Sequence, residues 1–315
     1  MIKMKRIDNA VEVSIIIVNY FSCELVKQVV DSIYRNTFDI TFEIIVVDNS
    51  VSEEEFSKLS LINGVKCVRS HQNGGFGYGN NLARKFSSGR YLLFLNADTI
   101  LLNNVVLLLY DFMLNHSNVG IVGPNIVDAS KKPSFSYLFE EKTLTSDTRN
   151  FFFDTIIKRF ILRNKYYYNH TGRPLSIKGY VCGACLMIET KTFDLLNGFD
   201  ERIFMYAEEC LLCHRVKNEL RLDIYNVPNA QLIHLEGGTI GSISPYKAST
   251  IVDGNFMYYK VIFGFAKALK YLKRMCKKTN NIAKICFFLR KKEKYKTYLA
   301  MHEAYFKKIE LLRMD

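Results

Sequence analysis

The sequence predicts an α/β protein with a mostly parallel central sheet, flanked by helices and followed by a basic helical segment. In the first 120 residues, short apolar runs typical of buried parallel strands alternate with segments whose apolar residues recur at helical spacing. The last 60 residues carry 16 Lys/Arg against 4 Asp/Glu, which accounts for the net charge of +12 of the whole chain. The positive charge therefore belongs to one segment, and the rest of the chain is neutral.

The predicted elements of the first part follow from these two patterns. Residues 13–18 are rich in β-branched side chains and form the first strand. Ser22 can cap the next helix, whose apolar residues at 25, 26, 29, 30 and 33 lie on one face. The other predictions here are strands at 42–47, 65–69 and 91–95 and helices at 53–61, from the glycine-rich stretch to about 87, and at 103–115. This order favours right-handed crossovers between parallel strands.

The second half of the chain is less regular. Residues 131–172 are polar, aromatic and weakly periodic, which indicates either an insertion that shapes an acceptor cleft or a variable surface excursion. Beyond them we predict a strand at 179–188, a short helix at 192–197, a helix from about Tyr206 and a strand at 230–234.

Composition and cysteine usage indicate the compartment. Eight cysteines are scattered along a chain long enough to bury its own core, so free thiols are expected. Two C-x-x-C pairs (182/185 and 210/213) have the spacing of a zinc site, but their apolar and helix-like surroundings favour small buried side chains. A signal peptide pattern and a run of roughly 18 apolar residues are both lacking, which predicts a cytoplasmic protein.

Polar side chains follow several of the predicted strands. Asn19 ends the first strand, Asp48 the second and Asp98 the fourth, and the glycine-rich stretch 73–81 opens a helix. The carboxyl ends of parallel strands meet at one edge of a sheet, where such folds bind ligands. Asp98 also offers a hard oxygen of the kind that Mg²⁺ or Mn²⁺ accepts beside a diphosphate. The pattern indicates a nucleotide or another phosphorylated ligand.

A nicotinamide-dependent oxidoreductase is one alternative for such a ligand. That class carries its glycines in the first strand-to-helix turn, which here reads Asn19-Tyr-Phe-Ser22 and holds none. Asp48 could still bind a ribose, so the alternative stays open.

Two adjacent acidic residues, Glu208 and Glu209, lie near the start of a predicted helix. Neighbouring side chains on a helix point about 100° apart, so the two carboxylates cannot both face one cleft. One can serve as a base while the other packs or orients, although acidic pairs on helices are also commonly just solvated.

Seven motifs occur in a fixed order over about residues 12–245. They are Ser14-Ile-Ile-Ile-Val-Asn-Tyr20, Ile45-Val-Val-Asp-Asn-Ser50, Asn73-Gly-Gly-Phe-Gly-Tyr-Gly-Asn-Asn81, Leu95-Asn-Ala-Asp98, Gly183-Ala184, Phe199-Asp-Glu201 with Tyr206-x-Glu-Glu209, and His234-x-x-Gly-x-Thr239. Together they resemble the family 2 glycosyltransferases of the GT-A fold, nearest to the rhamnosyltransferase-like branch of bacterial surface polysaccharide synthesis.

The resemblance implies an inverting, metal-assisted transfer from a nucleotide-diphosphate sugar to a polysaccharide or lipid-linked glycan at the inner face of the cell membrane. dTDP-rhamnose is favoured as donor, with a UDP-hexose close behind. Residues 1–120 would form the donor-binding half, 121–250 the acceptor-binding and catalytic half, and 251–315 a basic amphipathic tail.

The resemblance also implies the residues that bind the donor. Asp48 would accept the N3–H of the base, with Asn19, Tyr20 and Asn49 lining the nucleoside. The glycine-rich loop would contact the ribose and diphosphate through residues that include Asn73, Gly74 and Asn80, next to Asn96 and Asp98.

The metal and the base are implied in the same way. Asp98 would hold Mn²⁺ or Mg²⁺, His234 would complete the metal or phosphate contacts, and Glu209 would be the base beside Glu208. The chain departs from the family's pattern at Asn96, Glu209 and Leu211, where Asp or another acidic residue is usual. These departures leave a second hypothesis open, namely a catalytically weakened member that serves as a binding or scaffold subunit.

The basic tail has its own pattern. From Tyr258 to Cys276 apolar residues keep helical spacing, while Lys and Arg lie off that stripe, and Arg290–Lys296 adds a second basic segment. A helix of this kind suits an anionic bilayer surface. The alternative is a helical hairpin packed on the core with a solvated basic face. Nucleic-acid binding fits the charge but no other feature.

Overall fold

The alternation of strands and helices predicted for the first 120 residues is present in a computed structural model, which describes residues 10–144, 167–235 and 242–314. Each strand and helix predicted in this part is confirmed, with ends shifted by a few residues. The elements are β1 (Val13–Asn19), α1 (Cys23–Asn36), β2 (Phe42–Asp48), α2 (Glu53–Ser60), β3 (Val65–Arg69), α3 (Gly75–Arg84), β4 (Tyr91–Leu95), β5 (Thr99–Leu101) and α4 (Val105–Asn115).

The described residues of the second half contain short strands around two helices and two longer strands. The elements are β6 (Val119–Val127), β7 (Tyr137–Leu138), β8 (Leu175–Ile177), β9 (Tyr180–Val181), β10 (Cys185–Glu189), α5 (Thr190–Leu195), α6 (Glu208–Glu219) and β11 (Asp223–His234). The single strand predicted at 179–188 is wrong. A turn at Cys182–Cys185 divides it, because β9 pairs with β7 whereas β10 joins the central sheet. Part of the predicted insertion, 145–166, lies outside the described residues.

The central sheet has the strand order β3-β2-β1-β4-β10-β6-β11-β5, with β8 also paired to β11. Strands β3, β2, β1 and β4 are parallel, as are β6 and β11, while β10 runs antiparallel between β4 and β6. The prediction of a mostly parallel sheet flanked by helices is confirmed. Asn19 and Asp48 pair in register, so the ends of β1 and β2 meet at one edge.

Both faces of this sheet are buried, which explains the uninterrupted apolar runs in its strands. Successive residues of a strand point to opposite faces. In β1, Ile15 and Ile17 pack with α1 and α4, while Ile16 packs on the side of α3, α5 and α6.

The basic tail forms three helices, α7 (Pro245–Phe263), α8 (Phe265–Phe288) and α9 (Lys292–Met314). The predicted stripe does not lie on one free helix, because Gly264 (φ 84°) breaks the chain within it. Tyr258, Ala268 and Leu272 are buried in a cluster that also includes residues of α6 and α9. The apolar stripe therefore packs on other parts of the protein. Of the two hypotheses for the tail, the structure has the helical hairpin packed on the core. Among the helices of the described residues, none is both long and apolar enough to cross a membrane.

The cysteines of the two C-x-x-C pairs are free thiols. Burial raises the pKa of Cys182 to about 12 and raises the pKa of Cys185 and of Cys213 as well. Because the thiolate is the form that binds a metal, this burial supports the hydrophobic role predicted for them.

Candidate active site

The ends of β1 and β2 are joined by a buried polar network. The side-chain amide of Asn19 donates to Asp48 Oδ1 at 3.0 Å and to Glu55 Oε1 at 3.2 Å. Asp48 also accepts from the backbone N–H of Ser50 at 3.0 Å and from its hydroxyl at 2.9 Å. Both Asn19 and Asp48 are fully buried. A nucleobase could therefore reach the Asp48 carboxylate only after the Ser50 segment moves.

The residues after these two strands are exposed and strained. Phe21 (φ 51°) and Val51 (φ 59°) both adopt left-handed backbone conformations, which are unfavourable for a β-branched residue such as Val51. Strain of this kind concentrates at functional sites. Tyr20 is exposed and packs edge-on against Phe21. Of the predicted nucleoside-lining residues, Asn19 and Asn49 are buried, and Tyr20 is exposed to a ligand.

The glycine-rich loop packs closely against the backbone of a distant segment of the protein. A Cβ at Gly75 (φ 85°) would lie 1.9 Å from the carbonyl oxygen of Phe204, to which the N–H of Phe76 donates at 3.0 Å. The loop is thus attached to the segment that precedes α6. Asn73 remains exposed, and its Oδ1 accepts from the Gly75 N–H at 3.2 Å.

Two buried amides under this loop have incomplete hydrogen bonding. Asn49 donates to the carbonyl of Gly75 at 2.9 Å, and Asn80 donates to the carbonyl of Phe76 at 2.9 Å. The Oδ1 atom of each is buried without a hydrogen-bond partner. Buried polar atoms of this kind are rare and call for an explanation, such as a group that arrives with a ligand.

Asn96, Asp98 and His234 form one cluster at the end of β4. The Nε2 of His234 lies 3.1 Å from Asp98 Oδ1 and 3.5 Å from the side-chain nitrogen of Asn96. The antiparallel pairing of β5 with β11 creates this cluster, because it sets His234 opposite Thr99. The backbone N–H of Leu235 also donates to the Asp98 carbonyl at 2.9 Å. The remainder of the predicted His234–Thr239 motif, from residue 236, lies outside the described residues.

The donor atoms of this cluster fit a divalent ion that is shared with a diphosphate. One carboxylate and one imidazole suit Mn²⁺, and Mg²⁺ is usually held by one or two carboxylates together with phosphate oxygens and water. In the described part of the chain, no group of three or more His, Cys, Asp or Glu side chains gathers around a common point. A donor diphosphate and water are further oxygen ligands that such an ion accepts.

The acidic pair occupies the first turn of α6, as expected. Tyr206 (φ 67°) and Ala207 (φ 94°) turn the chain into the helix, which begins at Glu208. Glu208 is only 5% exposed, and its Oε2 is buried without a hydrogen-bond partner. Burial raises the pKa of Glu208 well above its ordinary value, and the charge of Glu209 raises it further.

Glu209 is half-buried, and as the next residue of α6 its side chain leaves the helix about 100° away from that of Glu208. A Cβ at Gly183 would be in van der Waals contact with its side chain, at 3.5 Å. Burial raises the pKa of Glu209, while the positive charge of Lys142 acts in the opposite direction. A carboxylate with a raised pKa is a better proton acceptor near neutral pH, which is what a general base requires.

The Cys182–Cys185 turn connects the two halves of the candidate site. Ala184 accepts a backbone hydrogen bond from Asn96 at 3.0 Å, and Gly183 lies against Glu209. Burial raises the pKa of Cys182, and the negative charges of Glu209 and Asp98 both contribute to that increase. The candidate metal residues and the candidate base therefore both lie near this turn.

Two residues of the site were missed by sequence reasoning. Lys142 hydrogen-bonds to Asn255, and its ammonium lies 5.2 Å from the centre of the Tyr258 ring. No local pattern marks it, because its partners are more than 100 residues away. Glu55 accepts from Asn19 and from the backbone N–H of Cys23. Its one signal is its position three residues after the helix cap Ser52.

More than half of the chain matches the model of a known protein family. Residues 14–185, which contain β1 to β4 and the Asn96–Asp98 segment, match the model for glycosyl transferase family 2. The chain belongs to this family.

Three transferases are among the relatives that this chain resembles in sequence. A hexosyltransferase of low-salt glycan biosynthesis, Agl10 of Haloferax volcanii, is 28% identical over 66% of this chain and 62% of its own length. Rhamnosyltransferase WbbL of Escherichia coli is 26% identical over 70% of this chain and 83% of its own. An N-acetylglucosaminyl-diphospho-decaprenol L-rhamnosyltransferase of Mycobacterium tuberculosis is 36% identical over 20% of each chain. This chain thus matches less than two thirds of the length of the first of these relatives, Agl10.

Solved structures confirm the GT-A fold. The mannosyltransferase PcManGT from Pyrobaculum calidifontis, solved with GDP-Man and Mn²⁺, superposes with a TM-score of 0.55 at 12% identity, over 96% of this chain and 88% of its own. GalNAc-T7, solved with UDP, GalNAc and Mn²⁺, gives a TM-score of 0.54 at 16% identity, over 81% of this chain and 51% of its own.

Proposed function

We propose that this family 2 member is an inverting glycosyltransferase that moves a sugar from a nucleotide-diphosphate donor to a glycan acceptor. The observation that carries the proposal is that one turn, Cys182–Cys185, contacts both groups: Gly183 lies against Glu209, and Ala184 accepts from the N–H of Asn96, which is next to the Asp98–His234 pair. An inverting transfer is a single in-line displacement, which needs a base on the acceptor hydroxyl and charge neutralisation on the leaving diphosphate.

Each part of the site has a role in this reaction. Glu209 takes the proton of the acceptor hydroxyl, and Lys142 opposes the rise of its pKa so that the carboxylate form is available. Asp98 and His234 would hold Mn²⁺ or Mg²⁺, which when bound supplies Lewis-acid stabilisation of the leaving diphosphate. Tyr20 covers the nucleoside. The side-chain oxygens of Asn49 and Asn80 are buried without a hydrogen-bond partner, so they become acceptors for the nucleotide sugar only when the loop above them moves.

The proposed donor is dTDP-rhamnose, with a UDP-hexose as the second candidate, and the proposed acceptor is a polysaccharide or lipid-linked glycan. The support is the similarity to WbbL and to the decaprenol-linked enzyme: both names state transfer of rhamnose, and the second also states a lipid-linked acceptor. We place the enzyme in the cytoplasm at the inner face of the membrane, where such an acceptor is found.

Ligand-dependent stabilisation gives the first test. Thermal unfolding of the purified chain is measured with dTDP, UDP and GDP compounds, each with Mn²⁺, Mg²⁺ or EDTA. A ligand present at about 100 times its Kd raises the free energy of unfolding by about 2.7 kcal/mol. We expect this gain for the true nucleotide only with metal, and its loss in Asp98→Ala.

Sugar transfer then tests the base. Glu209→Gln should keep donor binding but lose transfer by about 10²–10⁴-fold, which is the usual contribution of a general base. Glu219→Gln makes the same change near the end of α6, where the carboxylate pairs with Arg215, and should leave transfer unaltered. Transfer by Glu209→Gln at the wild-type rate would refute the assignment. A folded chain that binds no nucleotide would support the scaffold hypothesis instead.

A further inference from the structure

The turn between α8 and α9 exposes a contiguous apolar cluster. Phe287, Phe288 and Leu289 are 66%, 85% and 59% exposed, and we call these three residues the hairpin tip. The rings of Phe287 and Phe288 are nearly perpendicular to each other, with Tyr295 of α9 next to Phe287. Single exposed apolar residues are common, but three in succession at the end of a long hairpin indicate a contact surface.

A band of positive charge leads to this tip along α8. The helix holds seven Lys/Arg and no Asp/Glu. Five of the seven are exposed on one side of the helix, and we call them the basic face: Lys270, Lys273, Arg274, Lys277 and Lys284. Phe288 follows Lys270 by about five helical turns, so it lies in line with this face.

The basic face is open to a partner. Within residues 10–144, 167–235 and 242–314, none of its five side chains takes part in an ion pair with a carboxylate. Four of them surround a shallow groove of about 430 Å³ with Ala266 and Leu269 in its lining. The tip is flanked by more positive charge, because Arg290, Lys291 and Lys292 are also exposed.

The opposite side of α8 is not available. Ala268, Tyr271 and Leu272 are buried against the other helices, together with Ile282 and Cys286 further along. Because the apolar stripe is covered by other helices, it cannot contact a lipid surface while the helices are packed in this way. Any membrane contact has to use the basic face and the hairpin tip.

We propose that the hairpin tip inserts into the interface of an anionic bilayer while the basic face binds the lipid phosphates. Apolar and aromatic side chains enter the boundary between headgroups and acyl chains, and Lys and Arg extend to the phosphates beside them. An apolar end continuous with a one-sided band of positive charge is complementary to such a surface. A second copy of the chain is disfavoured as the occupant, since two basic faces repel each other.

Vesicle binding by the full chain tests whether the basic face binds lipid phosphates. Co-sedimentation is measured with vesicles of phosphatidylcholine alone and of phosphatidylcholine mixed with phosphatidylglycerol. We expect binding to the anionic vesicles that weakens as salt rises. The triple variant Lys270→Gln, Lys273→Gln and Lys277→Gln should lower the partition coefficient by about 100-fold, because each Lys near such a surface contributes about 1 kcal/mol.

A matched control removes the same charge elsewhere. Lys85→Gln, Lys131→Gln and Lys191→Gln change exposed lysines outside the tail, and this triple variant should retain most of the binding. Equal losses in the two triple variants, or equal binding to neutral and anionic vesicles, would refute a specific basic face. Thermal unfolding confirms that each variant is folded.

The tip is tested by fluorescence, since the chain contains no Trp. Phe288→Trp introduces the single tryptophan, whose emission should shift to the blue on anionic vesicles and be quenched by brominated acyl chains. Phe306→Trp, at a 55% exposed position of α9, should show neither change. Binding to a polyanion such as RNA without a vesicle-dependent shift at position 288 would overturn the proposal. None of these outcomes depends on sugar transfer, so the surface can fail while the enzyme assignment stands.

Discussion

Replacement of Glu208 by Gln should make the protein more stable at neutral pH. The carboxyl is 5% exposed, its Oε2 has no hydrogen-bond partner, and the carboxylate of Glu209 is adjacent. Burial and this neighbour both raise its pKa in the folded protein. Gln has nearly the same shape and stays neutral, so the variant removes the titration with little change in packing.

The size of the effect follows from proton linkage. The unfolded chain releases the Glu208 proton near pH 4.5, whereas the folded protein retains it to a higher pH. Between these two pKa values the folded state binds the extra proton, so the free energy of unfolding falls as pH rises. One such group lowers the free energy of unfolding by up to about 1.4 kcal/mol per pH unit. The stability advantage of Glu208→Gln should therefore be absent below pH 4.5 and grow above it up to the folded pKa.

Urea unfolding in EDTA without donor, at a series of pH values from 4 to 8, measures this difference. Glu219→Gln is the control, because it changes an exposed, ion-paired carboxylate at the other end of α6 and should give a difference with little pH dependence. Parallel stability curves for wild type and Glu208→Gln over the whole range would show that Glu208 ionises normally. That result would refute the inference that this carboxyl is held neutral beside the base.

Three further changes test how the site is supported. Gly254→Ala should cost about 1–3 kcal/mol of unfolding free energy, because the new Cβ would lie 1.9 Å from the Tyr206 carbonyl oxygen at the entry to α6; unaltered urea unfolding would contradict this. Lys142→Met removes the cation that opposes the raised pKa of Glu209, so the acidic limb of the transfer-rate pH profile should move to higher pH. An unmoved limb would leave Lys142 a purely structural role. Asn96→Asp adds a second carboxylate beside Asp98 and His234, and titration with Mn²⁺ should show tighter binding than in the wild type.

Much of the fold could be predicted because its signals are local. The β-branched run at 13–18 and the apolar run at 91–95 indicate strands buried on both faces, and the structure has β1 and β4 there. Parallel strands end at one edge, so Asn19, Asp48 and Asp98 were expected at the same side of the sheet. The division of 179–188 into β9 and β10 was not predictable, because it depends on which distant strands, β7 and β4, each piece pairs with.

The site required long-range pairing as well. Asn96 and His234 are 138 residues apart, and the motif resemblance suggested both, but the β5–β11 ladder is what brings them together. Lys142 had no signal at all, since Asn255 and Tyr258 that hold it lie 113 and 116 residues further along. A contact of this kind leaves no periodic trace near either partner.

The basic tail separates most clearly what each level determines. Helical spacing and charge in the sequence determine that α8 has one apolar side and one positive side. The same pattern fits a helix on a bilayer and a helix packed on protein, because lipid and protein interior both accept apolar side chains. Tertiary structure decided between them: the apolar side packs into the cluster with α6 and α9, which leaves the basic face and the hairpin tip as the surface open to a partner.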